Sequence, residues 1–146
     1  MTHERNNVAP ARGIFNVSQS VDGPFEATSI EFSYGKGDLQ FSGRYVDGLG
    51  RVQLMVLLLP AKEGSFSGEF NADGAAYYMN GPDNKPVFWD SVSGKYDAKI
   101  ITIPGHITGT FDFTGVGNGL PRKFAGDFNF FTKGIHEECT NQTGLS

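Results

Sequence analysis

Apolar and polar residues alternate along most of this chain, which is the pattern of β-strands that bury one face. In residues 39–45 the odd-numbered positions are apolar or glycine and the even-numbered positions are polar. Glycine-containing segments such as residues 35–38 and 47–50 interrupt the alternation, and glycine supplies the positive φ that tight hairpin turns need. No stretch has a convincing helical period, so the pattern predicts an all-β protein.

The predicted strands are short and fairly evenly spaced along the chain. They cover residues 14–18, 25–34, 39–45, 51–59, 65–70, 75–79, 87–96, 99–103, 106–113 and 123–132. Asp97-Ala98 is predicted to be a two-residue turn between two of them. Such strands predict an up-and-down antiparallel β-barrel of the lipocalin or avidin type. A two-sheet β-sandwich is the alternative, because both architectures bury one face of each strand.

A five-residue motif (apolar, small, Gly, variable, aromatic) occurs five times. The copies are Phe41–Tyr45, Phe66–Phe70, Val92–Tyr96, Ile107–Phe111 and Phe124–Phe128. Since alternate residues of a strand share a face, each glycine leaves a gap on the buried face beside an aromatic ring. A ring from a neighbouring strand often fills such a gap, and a gap left unfilled would form an interior binding site. The predicted core residues are Phe41, Tyr45, Phe66, Phe70, Tyr96, Phe111, Phe113, Phe124, Phe128 and Phe130.

The segment Val52–Leu59 is apolar on both faces at its end. Such a strand is either central in a sheet or covered on its outer side. We expect Met55, Leu57 and Leu59 to point outward and to need a cover, which favours association between copies of the chain.

The segment Phe88-Trp89-Asp90-Ser91 is the most informative for a binding site. Alternation with the residues that follow places Asp90 on the apolar face, where a carboxylate needs a partner such as Arg44, Lys95 or a Tyr hydroxyl. Alternatively, a bulge at residues 86–89 resets the register, so that Trp89 points inward and Asp90 meets solvent. The candidate ligand-binding residues are Trp89, Asp90, Phe88, Tyr77, Tyr78 and Arg44, which offer aromatic walls and a few polar anchors.

Length and charge limit the remaining possibilities. The 146 residues predict one β domain at 12–133 between a flexible polar lead at 1–11 and a flexible tail at 134–146. The net charge of -4, without a Lys/Arg cluster, argues against a nucleic-acid partner. The longest apolar run, Leu54–Pro60, is too short to span a bilayer. The lone Cys139 and the lack of an evident signal peptide favour a cytoplasmic location, although a secreted protein without disulfides fits as well.

Catalytic and cofactor-binding motifs are missing from the sequence, so no catalytic residue, metal site or cofactor is predicted. His136-Glu137-Glu138-Cys139 is the densest set of metal-ligating residue types, but it falls in the predicted tail. His106 lies in a row with Thr108, Thr110 and Asp112, which we interpret as a solvent-facing row. His106 and Asp112 are about 20 Å apart along a strand, so they cannot touch.

Residues 107–111 (ITGTF) followed by 123–128 (KFAGDF) resemble the C-terminal part of small lipocalin-like, calycin-type bacterial β-proteins of unassigned function. Residues 107–111 and 41–45 also resemble strands of avidin-type barrels, from which no ligand is carried over. Both resemblances imply an antiparallel barrel.

Three functions are consistent with these features. The first is a non-enzymatic β-barrel binding protein that holds a small apolar or aromatic ligand in its interior or a protein partner on its surface. The second is a structural or assembly protein that associates with copies of itself as a homo-oligomer. The third is an enzyme at the barrel mouth with Asp90, His106, Tyr77 or Tyr78 as acid and base.

Overall fold

The computed structural model describes residues 8–82 and 85–132, which form ten β-strands and no helix. The strands are β1 (Ala9–Gln19), β2 (Phe25–Glu26), β3 (Ser29–Tyr34), β4 (Asp38–Val46), β5 (Val52–Pro60), β6 (Gly64–Glu69), β7 (Ala75–Gly81), β8 (Val87–Ile101), β9 (His106–Gly117) and β10 (Leu120–Phe131). Eight of them close into an antiparallel barrel in the order β1, β10, β9, β8, β7, β5, β4, β3. The barrel is thus the architecture of the protein. In the described residues no helix is long and apolar enough to cross a membrane.

Strand β1 closes the barrel by pairing on both of its sides. Residues 12–19 pair with β10, and residues 9–11 pair with β3. The strand therefore begins at Ala9, within the predicted flexible lead. The short β2 lies beside β1 and adds no strand to the ring.

Strand β8 is one long strand where the sequence suggested two. Its pairing with β9 continues from Asp90 to Ile101, and Ala98 points into the core while Asp97 points outward. The predicted turn at Asp97-Ala98 is wrong, because these residues continue the alternation of the strand. On its other side β8 pairs first with β7 and then with β6, so β6 and β7 lie one after the other along β8.

The connection between β6 and β7, residues 70–74, is fixed to β8 by side chains. The Ser91 hydroxyl donates to Asn71 Oδ1 at 2.7 Å and accepts the Ala76 N–H at 3.2 Å. The Asn71 amide donates to the Ser91 carbonyl at 2.6 Å. The Tyr96 hydroxyl donates to Asp73 at 3.2 Å, and burial together with the Asp73 charge raises the pKa of Tyr96 to about 12. Tyr96 therefore remains a donor at neutral pH.

The barrel interior is filled with aromatic rings. Eight of the ten predicted core residues are buried, while Tyr45 near the end of β4 and Phe66 within β6 are half-buried. Phe15 was not predicted, yet its ring is fully buried between the rings of Phe41, Phe111 and Phe128 at centroid distances of 5.9, 6.0 and 6.2 Å.

Each motif glycine faces a group that fills its gap. An added methyl group would meet the ring of Phe15 at Gly43 (2.7 Å), of Phe128 at Gly109 (2.7 Å) and of Phe111 at Gly126 (2.8 Å). At Gly68 it would meet the Tyr96 hydroxyl, and at Gly94 the backbone of Phe113. None of the five gaps stays open, which leaves no space for a ligand beside these glycines.

The two faces of strand β5 point in the opposite directions from those predicted. Met55, Leu57 and Leu59 are fully buried in the barrel, because they pair with the inward positions 43, 41 and 39 of β4. The outward residues are instead Leu54, Val56 and Leu58. The expectation that Met55, Leu57 and Leu59 need an outer cover is therefore wrong. The apolar residues that face outward and would need such a cover are Leu54, Val56 and Leu58.

Candidate functional site

The barrel wall divides the predicted ligand-binding residues into two groups. Tyr78 and Trp89 are paired across β7 and β8, and both point into the barrel. Tyr77 is paired with Asp90, and both point outward. Phe88 and Arg44 are also on the outer face. The six residues therefore do not line one pocket.

Trp89 belongs to the core, where it is 7% exposed. Its ring covers Gly117, where an added methyl group would lie 2.5 Å from it, and its centroid is 6.2 Å from that of Phe124. Its indole N–H has no hydrogen-bond partner among the described residues. Asp90 is exposed, as in the second of the two predicted alternatives. The bulge that resets the register lies between Ser91 and Ser93, however, and not at residues 86–89.

Tyr78 anchors a polar cluster at one end of the barrel. Its hydroxyl donates to Asp22 Oδ2 at 2.6 Å and accepts from the Gln53 amide at 2.9 Å. The Asn80 amide donates to the same Asp22 oxygen at 2.6 Å. Burial, and then the hydrogen bond to Asp22, raise the pKa of Tyr78, so its hydroxyl stays protonated. The cluster joins the loop after β1 to β5 and β7, which is a structural task.

The outward residues gather at a groove on strands β3, β4, β5 and β7, with a volume of about 340 Å³. We call it the outer groove; it is lined by Ser29, Glu31, Gln40, Ser42, Arg44, Val52, Leu54, Val56, Tyr77 and Met79. The strand register places these residues in rows across the sheet. One row runs Ser29, Arg44, Leu54, Met79, Phe88, and the next runs Glu31, Ser42, Val56, Tyr77, Asp90.

The floor of the outer groove is apolar. Leu54, Tyr77 and Met79 are half-buried, and Val56 is 5% exposed although it points away from the core. Phe88 continues the floor beyond the groove: it is 46% exposed, and its ring centroid is 5.9 Å from that of Tyr77. The outward face of an antiparallel strand usually carries polar side chains, so this floor departs from the ordinary pattern.

Polar groups surround this floor. Arg44 is exposed, and its guanidinium forms no hydrogen bond or ion pair with any described residue. Burial, and then the Asp90 charge, raise the pKa of Tyr77, so its hydroxyl is a hydrogen-bond donor at neutral pH. Glu31 and Asp90 provide acceptors at opposite ends of one row. The outer groove thus offers an apolar floor, together with a cation and a hydroxyl that have no hydrogen-bond partner among the described residues.

His106 lies far from this groove. It faces outward, where its Nε2 is 2.6 Å from Asn129 Oδ1 and its ring stacks on Phe131 at 4.3 Å. On β9 it is ten positions from Val116, the residue paired with Asp90, which is roughly 30 Å along the strand. Asp90 and His106 therefore cannot act together as acid and base.

The described residues contain no group of three or more His, Cys, Asp or Glu side chains placed to hold a metal ion. The segment His136–Cys139 lies outside the described residues.

The chain matches no known family model, no curated protein and no solved structure. The resemblance to lipocalin-like bacterial proteins therefore stays a prediction, and the closed antiparallel barrel is the architecture that it implies.

Proposed function

We propose that this chain is a non-enzymatic β-barrel binding protein that holds a protein partner in the outer groove. The observation that carries the proposal is the apolar floor of that groove, on a face where strands ordinarily present polar residues. Leu54, Val56, Tyr77 and Met79 form this floor, and Phe88 extends it. Apolar surface of this kind, bordered by polar groups, is typical of interaction sites.

A surface site has more support than an interior one. A ligand inside the barrel would have to displace rings such as Phe15, Phe111 and Phe128, which fill the glycine gaps. Protein interiors are packed as densely as organic crystals, so such displacement is costly. The outer groove needs no rearrangement of the core to accept side chains from a partner.

The groove also indicates the chemistry of the partner. Its floor suits aliphatic or aromatic side chains, and the exposed Arg44 guanidinium suits a carboxylate. The Tyr77 hydroxyl can donate to a carbonyl oxygen of the partner backbone. We therefore expect a protein segment that carries apolar residues next to an acidic one.

Selection from a displayed library of random twelve-residue peptides tests this function. Peptides selected on the wild-type protein should combine apolar residues with Asp or Glu and bind with dissociation constants of about 10–100 µM. Tyr77→Ala should weaken binding about tenfold, since truncating an aromatic anchor commonly removes more than ~1 kcal/mol. Arg44→Ala should weaken acidic peptides more than variants of those peptides in which the acid is replaced by its amide. Binding is measured by fluorescence anisotropy.

A matched control lies on another part of the barrel wall. Ile14 is an exposed apolar residue on β1, so Ile14→Ala should leave peptide binding within about twofold of wild type. If the selected peptides bind the Tyr77→Ala and Arg44→Ala proteins as well as they bind wild type, the outer groove is not the binding site.

A further inference from the structure

Strand β6 has a free edge. Within the described residues it pairs only with β8, and no strand lies hydrogen-bonded along its other side. β5 precedes it in the chain but pairs with β4 and β7 instead. An unpaired strand edge presents N–H and C=O groups that can pair with another strand.

The hydrogen bonds near the end of β6 show which backbone groups are free. The Phe70 N–H donates to the Gly94 carbonyl at 3.0 Å, so residue 70 faces β8. The Glu69 N–H donates to Asp73 Oδ1 at 2.9 Å, and its carbonyl accepts the Ala72 and Asp73 N–H groups at 3.2 and 3.1 Å. The backbone N–H and C=O groups of residue 69 therefore point away from β8. Since facing alternates along an antiparallel strand, Ser65 and Ser67 also direct their N–H and C=O groups to the free edge.

The edge of β6 has few of the features that prevent strand pairing, and Glu69 is its one charged residue. Gly64–Glu69 contains no proline, no lysine and no bulge. Ser65 and Ser67 are exposed and small, so a second strand can approach closely. Phe66 is half-buried on the other face, with its ring 6.2 Å from that of Tyr96.

We infer that β6 pairs with β6 of a second copy of this chain, antiparallel and around a two-fold axis at Phe66. In this register Ser65 lies opposite Ser67 of the second copy, and Ser67 lies opposite its Ser65. The four free backbone groups of each strand are then all used, in four hydrogen bonds across the axis. A two-fold dimer uses the same edge in both copies, so that the free N–H and C=O groups of each β6 bind those of the other. A second copy therefore fits this edge better than an unrelated strand. This surface is separate from the outer groove of the proposed function.

The same register brings like charges close to each other. Glu69 would lie near Glu63 of the second copy, a residue just before β6 whose carboxylate accepts the Thr102 N–H, and each chain carries a net charge of -4. Like charges directly opposite each other weaken strand pairing, and salt screens them. We therefore expect a weak dimer that becomes stronger at higher ionic strength.

Sedimentation equilibrium on the full chain tests the inference. In 0.5 M NaCl the wild-type protein should dimerise with a dissociation constant of about 10–500 µM, as befits a small interface. Ser67→Pro should raise that constant at least about tenfold, since proline removes an N–H that β8 does not use and places its ring at the edge. Ser67→Ala keeps the N–H and should stay within about twofold of wild type. Glu69→Gln should lower the constant severalfold in low salt.

Two outcomes would overturn the pairing. One is a wild-type chain that remains monomeric at about 1 mM in 0.5 M NaCl, where a dimer of this strength would prevail. The other is a Ser67→Pro protein that dimerises as tightly as Ser67→Ala. If Ser67→Pro does not fold, amide exchange of the wild-type protein gives the answer: Ser65 and Ser67 should exchange more slowly as concentration rises. Exchange of these two amides that does not change with concentration would refute the inference.

Discussion

Each glycine of the repeated motif faces a group from another part of the barrel. Gly43 on β4 is covered by the Phe15 ring of β1, although these two strands are not hydrogen-bonded neighbours. Gly126 on β10 lies against the Asn16 carbonyl of β1 and the Phe111 ring of β9. At these two positions only the hydrogen atom of glycine fits, because neighbouring groups occupy the space that a Cβ atom would need.

Replacing Gly126 by alanine should therefore destabilise the protein. The added methyl group would meet a backbone carbonyl, which cannot move as a flexible side chain can, and we expect a loss of about 1–3 kcal/mol in the free energy of unfolding. Urea denaturation measures this loss. Gly35→Ala is the matched control: no atom lies within 4 Å of its added methyl group, so its effect should stay below about 0.5 kcal/mol. Equal effects of the two substitutions would mean that the interior has room at Gly126.

Single residues were predicted well where alternation alone decides the face. The motif glycines and most of the aromatic residues lie on the buried face, as the period-two pattern indicated. Whether rings fill the gaps was not predictable, because contacts such as Phe15 with Gly43 form only when the barrel closes. The sequence did not decide whether Trp89 or Asp90 points inward, since the position of a bulge determines which of the two side chains is buried.

Among the elements, β8 departs most from a regular strand. Before the bulge the odd-numbered residues Trp89 and Ser91 point inward, and after it the even-numbered Tyr96 and Ala98 do. The bulge lies at the point along β8 where its hydrogen-bonded neighbour changes from β7 to β6. Ser91, at this junction, holds both Asn71 and the first residues of β7, so the inserted segment 70–74 depends on it.

Removal of the Ser91 hydroxyl should loosen this junction. Ser91→Ala leaves the Ala76 N–H and the Asn71 Oδ1 atom without the hydroxyl that they bind, which should reduce stability by about 1–3 kcal/mol. Ser93→Ala, on the exposed side of the bulge, should change stability by less than about 0.5 kcal/mol. Thermal unfolding measures both changes, and the Ala76 amide should exchange faster in Ser91→Ala alone. Equal stability of the two variants would show that the hydroxyl does not hold the junction.

Strand β5 shows why one face was assigned wrongly. Its residues are apolar on both sides, so alternation carries no information about which side is inward. The register with β4 decides it, because a shift of one residue exchanges the two faces. The half of the candidate site formed by Leu54 and Val56 was missed for this reason. The predicted inward face of β4, continued across the hairpin turn at residues 47–50, was the signal that could have identified it.

On the scale of the whole molecule, the barrel has a filled interior and one unusual outer face. The core is aromatic and closed around its glycines, and the apolar residues left over on the outside gather in the outer groove. Four of the six residues that the sequence indicated for binding, Arg44, Tyr77, Phe88 and Asp90, lie in this groove or continue its rows. These four side chains share one face of the sheet, but the sequence did not determine that this face lies outside the barrel.

Under the proposed function the protein binds its partner through the outer groove and not through the barrel interior. Strand β5 offers a direct test, because Leu54 and Val56 face the groove while Met55 and Leu57 face the core. Methyl NMR spectra are recorded while 8-anilinonaphthalene-1-sulfonate, a small aromatic anion, is added. We expect the methyl signals of Leu54, Val56 and Met79 to shift and those of Met55 and Leu57 to stay in place. Shifts confined to Met55 and Leu57, or no shift at the three groove residues, would contradict the account.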